Sequence, residues 1–155
     1  MRVSWVLFLV LLTGCGLFEN EQEFASLNEA RNTWKKGNYT DYTFNYRIGC
    51  FCFYTGEVTV VVEGNVVIRL LNPETGEDAT FAPYGEEVLL LDEVPELFYT
   101  IDEFFAMLSE DAKEAHTFEF EYNRTSGMPT SVFIDHIKDA VDDEVGYTLS
   151  NLVLN

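Results

Sequence analysis

Basic residues are scarce in this chain of 155, with nine Lys and Arg against 27 Asp and Glu, and none at all between Arg69 and Lys113. The formal net charge of −18 excludes nucleic acid as a partner, because phosphate binding needs a basic surface and this one repels polyanions. Histidine is scarcer still. His116 and His136 are the only two, and neither stands at metal-ligand spacing from the other or from a cysteine, which argues against zinc. There is no Gly-x-Ser-x-Gly elbow, no metalloprotease helix motif and no glycine loop to cradle a phosphate. No residue is therefore singled out as catalytic. The only long apolar run, Val3 to Leu12, is too short to span a bilayer as a mature helix.

What is present is a large apolar and aromatic content, 47% and 15%, enough for one domain with a proper core. The stretch Asp41–Cys52 organises it. Tyr42, Phe44, Tyr46, Ile48, Cys50 and Cys52 recur at every second position, with Thr43, Asn45, Arg47 and Gly49 between them, which is the pattern of a strand buried on one face. Such a strand needs further strands beside it and helices over it.

The first residues carry a different message. Arg2, the apolar run and then Leu12-Thr13-Gly14-Cys15 resemble a bacterial lipoprotein signal. The resemblance implies cleavage before Cys15, a diacylglycerol on its thiol and an acyl chain such as palmitate on its new amino group. Residues 1–14 are then signal peptide, 15–22 the lipidated Cys15 and a short polar tether, and 23–155 a single domain close to the membrane. Loss of Arg2 takes the formal charge from −18 to −19. Gly16 follows the lipid site in place of the Asp that often retains such proteins at the inner membrane, so the outer membrane is the expected address in a Gram-negative cell.

Phe24, Leu27, Ala30 and Trp34 recur at helical spacing and Lys35-Lys36-Gly37 supplies a C-terminal stop. After the first strand, Glu57–Glu63 and Val66–Leu71 read as two more strands joined at Gly64-Asn65. Residues 77–99 lose periodicity and read as an acidic surface excursion, with Val88–Leu91 adding at most a short strand. Thr100-Ile101-Asp102-Glu103 has the form of a capping box. It opens a second helix with Ile101, Phe104, Phe105, Leu108 and Ala112 on one stripe. Three strands follow, around Phe118–Tyr122, Thr130–Asp135 and Val145–Val153. The order α-β-β-β-α-β-β-β predicts an α+β domain, one antiparallel sheet of about six strands with two helices packed mainly on one face.

Two groups of side chains invite chemistry. Cys50 and Cys52 would sit in an exported, oxidising compartment. Residues two apart in a strand are about 6.6 to 6.8 Å apart, at the limit of what a disulfide bridges, so closure needs a kink. A structural disulfide, two buried thiols and a redox or metal role all stay open. Asp135, with Asp142, Asp143 and Glu144, stands at the two ends of the last hairpin loop. These carboxylates read either as a Ca²⁺ site, although their spacing matches no EF-hand, or as a solvated turn.

Trp34, the strand ending Cys50-Phe51-Cys52, Thr100 to Phe105, Gly127-Met128-Pro129 and Ile134-Asp135 with Asp142-Asp143-Glu144 together resemble a family of bacterial lipoproteins known only as a domain of unknown function. Phe53 and Met128 depart from its usual pattern, where a Pro often follows the second Cys and an aromatic often precedes the Pro. The resemblance brings no activity. The expected function is a lipid-anchored, noncatalytic binding or structural module of the bacterial envelope, held to the membrane by its N-terminal lipid and facing an envelope protein or small ligand. The alternative is an envelope enzyme or redox protein using Cys50 and Cys52 or the loop carboxylates. Surface exposure of those groups separates the two.

Overall fold

The computed structural model describes residues 17–51, 54, 56–82 and 87–155. Six strands form one antiparallel sheet: β1 Tyr42–Cys50, β2 Glu57–Glu63, β3 Val66–Leu71, β6 Thr117–Tyr122, β7 Pro129–Asp135 and β8 Val145–Leu154. Their spatial order is β3-β2-β1-β8-β7-β6, so two three-stranded meanders meet along β1 and β8. The helices α1, Leu17–Gly37, and α3, Ile101–Glu114, lie over one face. The expected α+β architecture is present.

Parity explains which face is covered. Tyr42, Phe44, Tyr46 and Ile48 of β1 are buried, as are Val58, Val60 and Val62 of β2 and Phe118, Phe120, Val132, Ile134 and Leu149 of the second meander. The helices meet them through aromatic edges: Trp34 of α1 packs on Tyr42 at 5.1 Å and Phe104 of α3 on Tyr147, also at 5.1 Å. Edge-to-face packing adds about 0.5–1.5 kcal/mol per pair beyond area burial.

Local signals hold where the sequence placed them. Gly64 and Asn65 both have positive φ (57° and 60°), as a two-residue hairpin with a primed turn requires. The Asp41 carboxylate accepts from the Gly64 N–H. Both halves of the Thr100–Glu103 capping box form, and the buried Tyr42 hydroxyl accepts from the Ile101 N–H at 2.9 Å, satisfying another free donor at the start of α3.

Two stretches differ from expectation. Residues 17–22, expected as a tether, are the first turns of α1: no Pro or Gly interrupts them, and acidic residues suit a helix N-terminus. The excursion is also more ordered than an acidic loop. Thr80–Phe81 (β4) pairs with Val88–Leu89 (β5), a short helix α2 spans Leu90–Glu93, and a 3₁₀ turn spans Pro95–Leu97. Ala79, Leu90 and Phe98 enter the core, because Leu90 N–H finds the Ala79 carbonyl at 2.9 Å and so turns its side chain inward.

Candidate functional site

Among the described residues no helix covers the second face of the sheet. Strand register arranges its middle into two rows: Arg47, Thr148 and Ser131 stand side by side on β1, β8 and β7, and next to them Gly49, Gly146 and Phe133. Two facing glycines, one pair in from the Cys50–Val145 end of the two central strands, leave a side-chain-free floor where glycine otherwise weakens a strand and marks close approach of another group. The result is a trough of about 300 Å³ lined by these six residues and the backbone of Val132 and Tyr147. Phe133, 37% exposed, forms one wall. Arg47 stands at the other side, exposed and making no ion pair among the described residues. Its cross-strand neighbour Glu57 instead accepts from Asn45 Nδ2 at 3.0 Å. Among the described residues the site thus offers a flat floor of glycine backbone, an aromatic wall, two hydroxyls and a guanidinium without an ion-pair partner.

The residues singled out in the sequence lie elsewhere. Cys50, at the end of β1 and only partly buried, is disulfide-bonded. Cys15 and Cys52 lie outside the described residues, as does the signal-like segment. The acidic loop 136–144 is closed from within: Asp143 Oδ2 accepts from the Ile137 N–H at 2.8 Å, and Ala140 N–H reaches the Ile137 carbonyl at 3.0 Å. Asp142 takes a positive φ of 74°, a conformation aspartate tolerates in turns. Among the described residues no three carboxylate, histidine or cysteine side chains are placed to share a metal ion, so Asp135, Asp142, Asp143 and Glu144 are not gathered as a Ca²⁺ site would need. Asp143 works as a loop staple.

On the covered face, Tyr46, Tyr99 and Tyr147 cluster around Phe104. Burial pushes the Tyr147 phenol up to about 12 and the Tyr46 phenol well above its ordinary value. The Tyr46 hydroxyl finds no hydrogen-bond partner among the described residues. Nearby Asp111 is held above the usual carboxylate range, first by burial, with His136 pulling it down and Glu114 and Glu110 pushing it up. Tyr46 belongs to the packed core, Tyr99 and Tyr147 pack partly buried against it, and Asp111 is half-buried at their edge.

Residues 26–154 match a family of unknown function (DUF6174). The chain belongs to that family. No curated protein and no solved structure matches. Among the described residues no helix is long and apolar enough to cross a membrane.

The trough was hidden in the sequence because its parts come from three strands. Gly49 and Gly146, each inside an otherwise β-rich run, were the available signal. Only the β1–β8 pairing brings them face to face.

Proposed function

We propose that this family member is a lipid-anchored bacterial envelope protein that acts as a noncatalytic binding module, with the helix-free face of its sheet as the binding surface. The observation that carries the reading is the Gly49–Gly146 floor beside an unpaired Arg47. A planar or extended apolar group fits the floor against Phe133, and an acidic group on the same partner would pair with Arg47, the kind of charge-assisted contact guanidinium makes best. The Leu12-Thr13-Gly14-Cys15 pattern after a short apolar run supports the anchor, and Gly16 favours the outer membrane in a Gram-negative host.

The test places a photocrosslinking residue at Thr148, in the trough, and at Val66, in the distant β2–β3 hairpin, in cells making the full chain. A discrete adduct at Thr148, absent at Val66 and lost with Arg47→Glu or Gly146→Val, supports the reading. Equal adducts at both positions, or adducts indifferent to both substitutions, would overturn it. Anchoring is checked separately: Cys15→Ser should leave the membrane fraction.

A further inference from the structure

The three most exposed large apolar side chains among the described residues are Phe51 at 83%, Val141 at 81% and Ile137 at 61%, and the topology brings all three to one end of the sheet. Phe51 directly follows β1, whose last residue Cys50 pairs with Val145 at the start of β8. Ile137 and Val141 sit on the loop between β7 and β8. The next most exposed, Val66, Val153 and Leu154, stand at the opposite end, where Tyr42 pairs with Val62 and Leu154.

The course of α1 decides which end faces the anchor. Glu23 accepts from the Phe120 N–H of β6 at 3.2 Å, Glu29 lies beside Tyr122, and Ala30 and Trp34 abut Gly127 beyond the strand. Helix and strand therefore run in the same direction. The start of α1 lies at the Thr117 end of β6, which pairs with Asp135, the same end as Phe51 and the 136–144 loop. Only Gly16 separates Cys15 from Leu17, the first residue of α1, so the two are two residue steps apart. At about 3.5 Å per residue this holds a lipid on Cys15 within roughly 7 Å of that end.

We infer that Phe51, Ile137 and Val141 form a membrane-contact surface that enters the headgroup region of an uncharged or zwitterionic bilayer. The inference rests on lipidation at Cys15, as read above. Isolated apolar side chains on loop tips gain from the interface what they cannot gain by packing in so small a patch. Asp139, Asp142, Asp143 and Glu144 on the same loop set the lipid preference, because they repel an anionic surface. With this end down, the trough faces sideways along the membrane and the Val66 hairpin points away from it.

The test uses the full lipidated chain in phosphatidylcholine vesicles carrying lipids brominated near the headgroup, with single Phe51→Trp, Val141→Trp and Val66→Trp substitutions, each corrected for buried Trp34. Strong quenching of the Trp at 51 and 141 and little at 66 is expected. Quenching no greater at 51 and 141 than at 66, in protein that floats with the vesicles, would contradict the surface while leaving the anchor intact. If the chain does not float, the anchor reading fails, and the same variants with added phosphatidylcholine vesicles judge the surface alone. A blue shift at 51, reduced when about a third of the lipid is phosphatidylglycerol, supports it, and an unshifted spectrum overturns it.

Discussion

The two faces of the sheet are built from the same strands and differ in almost everything else. On the covered face, alternate residues of β1 are Tyr42, Phe44, Tyr46 and Ile48, each under one-tenth exposed and locked against α1 and α3. On the open face the intervening positions are Thr43, Asn45, Arg47 and Gly49, tied only by contacts such as Thr59 Oγ1 donating to Asn45 Oδ1. One side chain in two is committed to folding. The others are free of that constraint, and the Gly49–Gly146 pair, which adds nothing to stability, leaves the bare floor on which the proposed binding surface rests.

The sharpest way to break the comparison is on the covered face. Phe104 is buried between Tyr46, Tyr99 and Tyr147, and Phe104→Ala should cost about 3–5 kcal/mol, the range for emptying an aromatic core site. Denaturant unfolding followed by circular dichroism reads this as a fall in midpoint with unchanged slope.

A second prediction uses two copies of one turn. Asn72 and Asn123 each accept from two backbone N–H groups ahead of them, and each turn ends on a glycine of positive φ, Gly76 (72°) and Gly127 (85°). A Cβ on Gly76 meets nothing within 4 Å, whereas one on Gly127 would lie 2.4 Å from Trp34 N and 2.5 Å from Ala30 O. Gly76→Ala should therefore cost only the backbone strain, about 1–2 kcal/mol. Gly127→Ala adds a collision with the α1 backbone and should cost roughly 2–4 kcal/mol. Similar losses for the two would show that the hairpin does not rest on α1.

How much of this was visible beforehand depends on the range of the interaction that decides it. The parity of β1, the Gly64-Asn65 turn and the Thr100–Glu103 capping box are settled within a few residues, and the sequence displays them. Leu90 is different. Its burial depends on a hydrogen bond to Ala79 and on a two-stranded ribbon formed across the excursion, so a local lack of periodicity looked like an acidic loop. The acidic 136–144 loop left a Ca²⁺ site and a solvated turn both open, because the sequence does not show that Asp143 accepts from the Ile137 N–H across the loop. The trough was least legible, because no single strand contains it.

Asp111 supplies a smaller, pH-dependent check. Its folded carboxyl is raised above its unfolded value, so its charge disfavours the folded state at neutral pH, and the penalty is relieved as pH falls through the raised folded value. Asp111→Asn should melt slightly higher than wild type at pH 7, and the gap should close in acid. A variant that melts lower at pH 7 would mean the His136 attraction outweighs burial.

The smallest effect concerns the loop. If Asp135, Asp142, Asp143 and Glu144 make an ordinary turn, Ca²⁺ and Mg²⁺ at matched ionic strength should shift the melting temperature equally, in wild type and in Asp142→Asn, through screening alone. A Ca²⁺-specific rise lost in the variant would restore the metal site.

The division of labour between the faces is tested most directly by the unfolding free energy of Gly146→Val. A Cβ at this position makes only ordinary contacts, the nearest 3.8 Å away at the Gly49 carbonyl, and valine suits a strand better than glycine by up to about 1 kcal/mol. The account predicts a protein as stable as wild type or slightly more so, with its trough filled. A loss of 2 kcal/mol or more, on the scale of a damaged core, would show that the open face is part of what holds the fold together.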